Sequence, residues 1–317
     1  MLFSTVQMHV PDGFLSIPVS FVLWVITIIT IGYSLRCVSR ELDERKVPLI
    51  GVLAAAIFAG QMLNFAVAGG TSGHLMGAAL ATILVGPWAA VLVMTTVVGV
   101  QALIFQDGGL VALGANLINM AVIGVAVAYA AYRPILKLAG GRKGGIFLAG
   151  FIAAWLSIEI AALAVAFELA LSGASPANLA IPAMAGIHAL IGIGEGLITV
   201  GCLAFIYAIR PSLLTGEAER PTGNALIWVT GLLISLALVV ASPLASARPD
   251  GLEWVAQQQG FLNRIQSPLY EILPDYIVPG ISTRGLTTIL AGLVGVLLVF
   301  LVALAVALTR RGRNSSP

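Results

Sequence analysis

Charged side chains are scarce in this sequence: Asp, Glu, Lys and Arg make up 9% of its 317 residues, whereas 59% are hydrophobic. The mean hydropathy is +1.02. Soluble globular domains carry about 25% charged residues, so this composition excludes that class and predicts a polytopic protein of the lipid bilayer. No charged residue occurs between Lys46 and Asp107. The net charge of +2 is too small to indicate a nucleic-acid partner.

Cysteine is nearly absent as well, and so are the motifs of soluble enzymes. Cys37 and Cys202 are isolated, which excludes a disulfide framework and a CxxC metal site. The sequence contains no HExxH, no GxSxG, no GxGxxG after a strand and no GxxxxGK[ST] phosphate loop. We therefore expect a protein that is not an enzyme, that carries no cofactor and that does not hydrolyse ATP itself.

Long apolar runs are abundant and predict transmembrane helices. They cover 17–35, 48–68, 76–106, 110–132, 146–171, 184–209, 226–246 and 286–308. As one helix, the run 76–106 would be about 45 Å long at 1.5 Å per residue, which exceeds a hydrocarbon core of about 30 Å. Gly86-Pro87 is a natural break, so we predict a short helix at 76–86 and a longer one at 87–106. The predicted fold is an all-α polytopic membrane helix bundle of about nine helical segments.

Basic residues cluster after the first, fourth and sixth apolar runs and at the end of the chain. By the positive-inside rule these clusters belong in the cytoplasm, which places the C-terminus there and the N-terminus outside the cell inner membrane. The split of 76–106 is also required, because without it the cluster that begins at Arg133 would lie on the outer side. The clusters are Arg36, Arg40, Arg45 and Lys46; Arg133, Lys137, Arg142 and Lys143; Arg210 and Arg220; and Arg310, Arg311 and Arg313.

Composition predicts two domains. Residues 8–210 would form the larger membrane domain, 211–225 a cytoplasmic linker, and 226–317 a smaller domain with two membrane helices. The smaller domain contains a polar outer loop at 247–285, which is too long to be a mere connection.

The three histidines of the chain are His9, His74 and His188, and the topology places the first two on the outer side. A lone loop histidine is more often inert than a ligand. If the chain began at Met8, however, its α-amine, the His9 amide nitrogen and the His9 imidazole Nδ1 could form two fused chelate rings in one plane. An imidazole from His74 would complete a square plane of nitrogens, which suits Ni(II) and Cu(II), with Co(II) possible, and disfavours Zn(II).

This scheme needs a free amine on Met8. We therefore expect residues 1–7 to be an annotation artefact or a cleaved piece, and a chain that keeps them would lack the proposed site.

Other polar residues in apolar surroundings are candidates for a metal pathway or for structural roles. His188 and Glu195 lie two helical turns apart on one face, and a satisfied polar pair inside the bundle explains them as well as a place on the metal's path. Glu159 lies inside an apolar run, where an ionisable group is a functional candidate by default, although pairing with a neighbouring helix explains it equally well. Asn64 is a further candidate for either role.

Several motifs together resemble one transporter family. The resemblance is to the substrate-capture component of cobalt/nickel energy-coupling-factor transporters, the CbiM/NikM family, and spans about residues 8–210. The segment from 226 onward resembles the PDGLE-type accessory N component, here fused. The motifs are Met8-His9-Val10-Pro11-Asp12-Gly13-Phe14-Leu15-Ser16, Asn64-Phe65, Gly69-Gly70-Thr71-Ser72-Gly73-His74-Leu75, Gly192-x-Gly194-Glu195-Gly196-x-x-Thr199 and Pro249-Asp250-Gly251-Leu252-Glu253.

The resemblance implies a metal bound by the Met8 amine, the His9 amide and imidazole, and His74. It implies separate partner chains, namely a membrane coupling protein and cytoplasmic ATPase subunits, and it slightly favours Ni(II) over Co(II) as the imported ion. The loop 247–285 would help to load the metal. The alternative is an ion-coupled secondary carrier in which Glu159, Glu195 and His188 relay protons. An intramembrane enzyme is disfavoured because no nucleophile–base pair or hydrolytic zinc motif is visible.

Overall fold

The computed structural model of the protein describes residues 9–41, 47–215 and 225–310. Met8, residues 1–7, most of the predicted linker, and Arg311 and Arg313 lie outside the described residues. The helices of eight or more residues in the described ranges are α1 Ile17–Glu41, α2 Val47–Gln61, α3 Ala78–Val85, α4 Pro87–Phe105, α5 Leu113–Leu138, α6 Lys143–Leu171, α7 Ala177–Ile209, α8 Ala225–Ala241, α9 Gly251–Gln259 and α10 Arg284–Arg310.

Within those ranges, six helices are long and apolar enough to cross a membrane, namely α1, α4, α5, α6, α7 and α10. Two shorter apolar helices accompany them, Val47–Gln61 and Trp228–Leu244. α6 packs along α7, while α8 and α10 both pack on α2. The chain is therefore a multi-pass helical membrane protein, as its composition predicted.

The predicted break after α3 is confirmed. Gly86 has φ 88° and ψ 166°, a conformation that only glycine adopts readily, and Pro87 begins α4. α3 has eight residues, of which all but Ile83 are buried. A helix of about 12 Å cannot cross the hydrocarbon core, and it is stable at this depth because protein surrounds it.

The run 48–68 differs from its prediction, because α2 ends at Gln61. Strand β1, Phe65–Ala66, then pairs antiparallel with strand β2, Ser72–Gly73. The Val67 N–H also donates to the Thr71 carbonyl at 2.9 Å. Apolar composition does not separate a helix from a buried hairpin whose main-chain groups are paired, so the run looked like one helix. α7 is likewise longer than predicted and begins at Ala177 rather than 184.

Two π-helical segments flank the loop between α4 and α5. Gln101–Phe105 ends α4, and Gln106 follows in the left-handed conformation with φ 55°. Leu117–Ile123 lies inside α5. Segments of this kind are frequent at functional sites because they turn side chains away from the regular helical register. Asn119 lies in the second segment and Asp107 follows the first by two residues, and both side chains are buried.

The polar loop 247–285 contains α9, which was not predicted. The Asp250 carboxylate accepts a hydrogen bond from the Glu253 N–H at 2.8 Å and so caps the helix. An Asp followed three residues later by Glu is a helix-start pattern. The same residues can also form a turn, so the pattern alone does not identify a helix.

Candidate metal centre

His9 and His74 lie side by side. Their ring centroids are 5.6 Å apart with an interplanar angle of 75°. His9 precedes α1 and is buried, whereas His74 follows β2 and is half-buried. The structure thus brings together two of the residues that the sequence singled out.

The backbone around His9 is held by Asn116 of α5. The Asn116 Oδ1 accepts from the Val10 N–H at 2.9 Å, and its Nδ2 donates to the Val10 carbonyl at 3.0 Å. The Gly109 N–H donates to the same carbonyl at 3.0 Å. One amide side chain therefore satisfies both main-chain groups of Val10, as a neighbouring strand would.

Asp12 fixes the same segment from the other side. Its carboxylate accepts from the N–H groups of Leu110 and Ala112 at 3.0 and 2.9 Å. Gly109 approaches so closely that a Cβ there would lie 2.1 Å from the Asp12 Oδ1. The N-terminal segment is thereby seated against the loop between α4 and α5.

The His9 imidazole faces Asp107. Its Nδ1 lies 3.1 Å from the Asp107 backbone oxygen and 3.3 Å from Oδ1, while its buried Nε2 has no hydrogen-bond partner among the described residues. Burial lowers the pKa of His9, but the charge of Asp107 and hydrogen bonds to it outweigh this, with a smaller contribution from Asp250, so the pKa lies above its usual value.

His74 is positioned by Glu195 of α7. The two Glu195 carboxylate oxygens accept from the N–H groups of Met76 and Gly77 at 2.7 and 3.0 Å. Gln61 Nε2 donates to the Met76 carbonyl at 2.8 Å. Glu195 is fully buried, and it holds the turn between His74 and α3.

A cavity of about 90 Å³ opens beside the two imidazoles, between α5, α6, α7 and α9. This volume is enough for a single ion with little water. The polar residues that line it are His9, His74, Asn116, Asn119, His188 and Asp250. In the described part of the chain, no three His, Cys, Asp or Glu side chains are arranged to hold a metal.

The remaining candidates occupy different places. His188 lines the cavity, and its Nδ1 lies 2.8 Å from the Met184 carbonyl. Glu159 on α6 is half-buried and does not line the cavity. Asn64 lies in the turn after α2, where its carbonyl accepts from the Ser246 N–H at 2.8 Å. The geometry thus sets His188 apart from Glu159 and Asn64 as the pathway candidate at the cavity.

The loop 247–285 packs against the β hairpin. The Ser72 N–H donates to the Pro249 carbonyl at 2.8 Å, and the Ser72 hydroxyl donates to the Arg248 carbonyl at 2.8 Å. Asp250 and Gly251 then border the cavity. Burial raises the pKa of Asp250 to about 7.

Sequence reasoning missed Asp107 and Asn116. Asp107 is the residue that ends the charge-free stretch, and Asn116 is an amide within an apolar run. Both signals were visible, but either residue could equally have been part of a solvated loop.

Two family models match the chain. The model described as the cobalt uptake substrate-specific transmembrane region, CbiM, matches residues 9–213. The PDGLE domain matches residues 225–312.

Several relatives carry transport names. A putative fused nickel transport protein of Archaeoglobus fulgidus is 37% identical and covers 97% of this chain and 100% of its own. A fused nickel transport protein of Rhodobacter capsulatus is 32% identical, and the match covers 92% of this chain and 95% of the relative. A cobalt transport protein of Sorangium cellulosum is 34% identical, and the match covers 55% of this chain and 79% of the relative.

A crystal structure of a transition metal transporter is similar in fold and sequence. It is 33% identical, with a TM-score of 0.58, and covers 68% of this chain and 100% of that one. The likeness therefore spans a length comparable to the match to the first family model.

Proposed function

The chain belongs to the CbiM family of cobalt uptake substrate-specific transmembrane regions, and we propose that it captures Ni(II) or Co(II) on the outer side of the cell inner membrane for an ATP-driven energy-coupling-factor importer. Its relatives are named as transport proteins, which supports a transporter rather than an enzyme.

The observation that carries the proposal is the contact of the His9 and His74 rings at the mouth of the cavity. Met8 is bonded to His9, so its amine, the His9 amide nitrogen and one imidazole nitrogen can enclose a metal in five- and six-membered rings. His74 supplies the fourth nitrogen. An all-nitrogen plane suits Ni(II) and excludes the oxygen-preferring Mg(II) and Ca(II).

Nickel is slightly favoured as the cargo. Two relatives that cover at least nine-tenths of this chain, PDGLE segment included, are named as a putative fused and a fused nickel transport protein. Three relatives named as cobalt transport proteins cover 55%, 74% and 67% of the chain. In the first two relatives, the fused accessory domain therefore occurs in proteins that are named for nickel transport.

Energy would come from partner chains. The sequence has no phosphate-binding loop of its own. We propose a membrane coupling protein and cytoplasmic ATPase subunits as partners, with the predicted cytoplasmic clusters Arg133–Lys143 and Arg210–Arg220 on the side that faces the ATPases.

Uptake into reconstituted vesicles tests this function. Vesicles that contain this chain, the coupling protein and the ATPases should accumulate Ni(II) only with ATP, and His74→Ala should abolish accumulation. Glu159→Gln serves as the control, because Glu159 does not line the cavity and the proposal expects unchanged uptake.

The secondary-carrier alternative makes the opposite prediction. It requires uptake by this chain alone under a proton gradient, with a loss in Glu159→Gln because that residue would relay protons. Such a result would overturn the ATP-driven proposal.

A further inference from the structure

Tyr276, in the accessory domain, reaches the histidine of the proposed metal site through one carboxylate. Its hydroxyl donates to the Asp107 Oδ2 at 3.0 Å, and the Asp107 Oδ1 lies 3.3 Å from the His9 Nδ1. Asp107 thus contacts the histidine with one oxygen and the tyrosine with the other. The tyrosine and the carboxylate are 169 positions apart in the chain.

The tyrosine is held firmly at this position. Its ring stacks on Phe105 with centroids 4.6 Å apart and an interplanar angle of 15°. The Leu273 N–H donates to the Ile104 carbonyl at 3.0 Å, which ties the preceding turn to the end of α4. Tyr276 is buried, and both it and Asp275 have left-handed φ angles of 59° and 53°.

Such backbone conformations are unfavourable for non-glycine residues, and they persist where the surroundings impose them. Burial and the charge of Asp107 raise the pKa of Tyr276 well above its usual value, so the hydroxyl keeps its hydrogen at neutral pH. The tyrosine is therefore a fixed donor aimed at the carboxylate.

The Tyr276 hydroxyl can stabilise the Asp107 carboxylate when His9 binds a metal. The chelate needs the His9 Nδ1, the nitrogen that faces Asp107. When this nitrogen turns to a metal, the buried carboxylate loses its histidine contact, and a buried charge that loses partners is costly. A hydroxyl that stays on Oδ2 lowers that cost.

We propose that Tyr276 is a positioning residue for metal capture: its hydroxyl holds the Asp107 carboxylate, so that His9 can leave Asp107 for the metal. This inference rests on the proposed function, since it takes His9 as a metal ligand. Through this contact the accessory domain sets the affinity of a site whose ligands all lie in the other domain.

The direct test is Tyr276→Phe in the full chain, with Ni(II) titrated by calorimetry. The phenylalanine keeps the stack on Phe105 and removes the hydroxyl, and the Kd should rise about tenfold, the lower end of the losses measured for groups that support metal ligands. Tyr270→Phe is the matched control. The Tyr270 hydroxyl donates to the Leu103 carbonyl at 2.9 Å and does not reach Asp107, so that Kd should not change.

A double-mutant cycle separates positioning from a general effect on the fold. In an Asp107→Asn background there is no carboxylate to satisfy, so adding Tyr276→Phe should cause no further loss of affinity. The nitrogen signals of His9 in NMR spectra should shift in metal-free Tyr276→Phe while the melting temperature stays at the wild-type value. If this variant does not fold, a fluorotyrosine at 276 keeps the ring and alters donor strength, and it should change the Kd.

Different results would contradict the proposed metal site and the positioning role of Tyr276. If His74→Ala and wild type bind Ni(II) equally, the proposed metal site is wrong. If His74→Ala loses binding but Tyr276→Phe behaves like Tyr270→Phe, or binds more tightly than wild type, the positioning role is wrong and the metal site stands. If the fold-losses of affinity in Asp107→Asn and Tyr276→Phe multiply in the double variant, the positioning role is also wrong.

Discussion

Three buried or half-buried side chains hold the candidate site in the same way, each by bonding two main-chain groups of another segment. Asn116 holds Val10, Asp12 holds the start of α5, and Glu195 holds the turn after His74. Irregular backbone inside a membrane protein needs such partners because no water is available there. The polar residues around the cavity thus place the histidines.

Removal of Glu195 should release the His74 turn. Glu195→Ala leaves the Met76 and Gly77 N–H groups unpaired, which costs about 1–3 kcal/mol for each buried group. We expect a lower melting temperature and weaker Ni(II) binding. Glu195→Gln keeps one acceptor oxygen and should give an intermediate result, as measured by thermal unfolding and calorimetry.

Glu159→Ala is the matched control, because this half-buried glutamate lies on α6 away from the cavity. Glu159→Ala should change neither the melting temperature nor the affinity for Ni(II). A Glu195→Ala protein that melts and binds Ni(II) like wild type, yet no longer transports, would instead indicate a proton relay.

At the scale of elements, hydropathy predicted the helices and missed what lies between them. Nine of the helices within the described ranges correspond to predicted segments, and the Gly86-Pro87 break was identified because one helix would have been too long. Strand β1 and the π-helical segments have the same apolar composition as the helices around them, so no periodicity revealed them. Strand β2 lies in the Gly-, Thr- and Ser-rich stretch 69–73, whose composition indicates a loop rather than a strand. α9 was overlooked although Asp250 and Glu253 carry a helix-start pattern.

The position of α9 depends on a glycine, which gives a second prediction. A Cβ on Gly251 would lie 2.9 Å from the His188 Cε1 and 2.8 Å from the Ile191 Cδ1. Gly251→Ala should therefore push α9 away from the cavity, at a cost of about 1–3 kcal/mol for overpacking. Bound Ni(II) should then dissociate several-fold faster in stopped-flow experiments with a chelator.

Gly201→Ala is its control, since a Cβ at Gly201 on α7 has no atom within 4 Å. Equal dissociation rates in both alanine variants would show that α9 does not retain the metal.

At the scale of the whole molecule, the candidate site combines segments that are distant in sequence. The sequence predicted His9 and His74 on the same side of the membrane, because the positions of the basic clusters predict that both are outside, and the structure places the two rings side by side. It could not pair Asp107 with Tyr276, since that contact depends on how the accessory domain packs on α4. The domain limits 8–210 and 226–317, the linker between them and the cytoplasmic C-terminus remain predictions.

The central claim is that the Met8 amine, the His9 amide and imidazole, and His74 bind Ni(II) in one plane. X-ray absorption spectroscopy of the Ni(II)-loaded chain beginning at Met8 tests it most directly. The account predicts four nitrogen ligands in a square plane, lost in His74→Ala and in a chain that keeps residues 1–7. A chain that begins at Met1 and still shows the same planar site would contradict it.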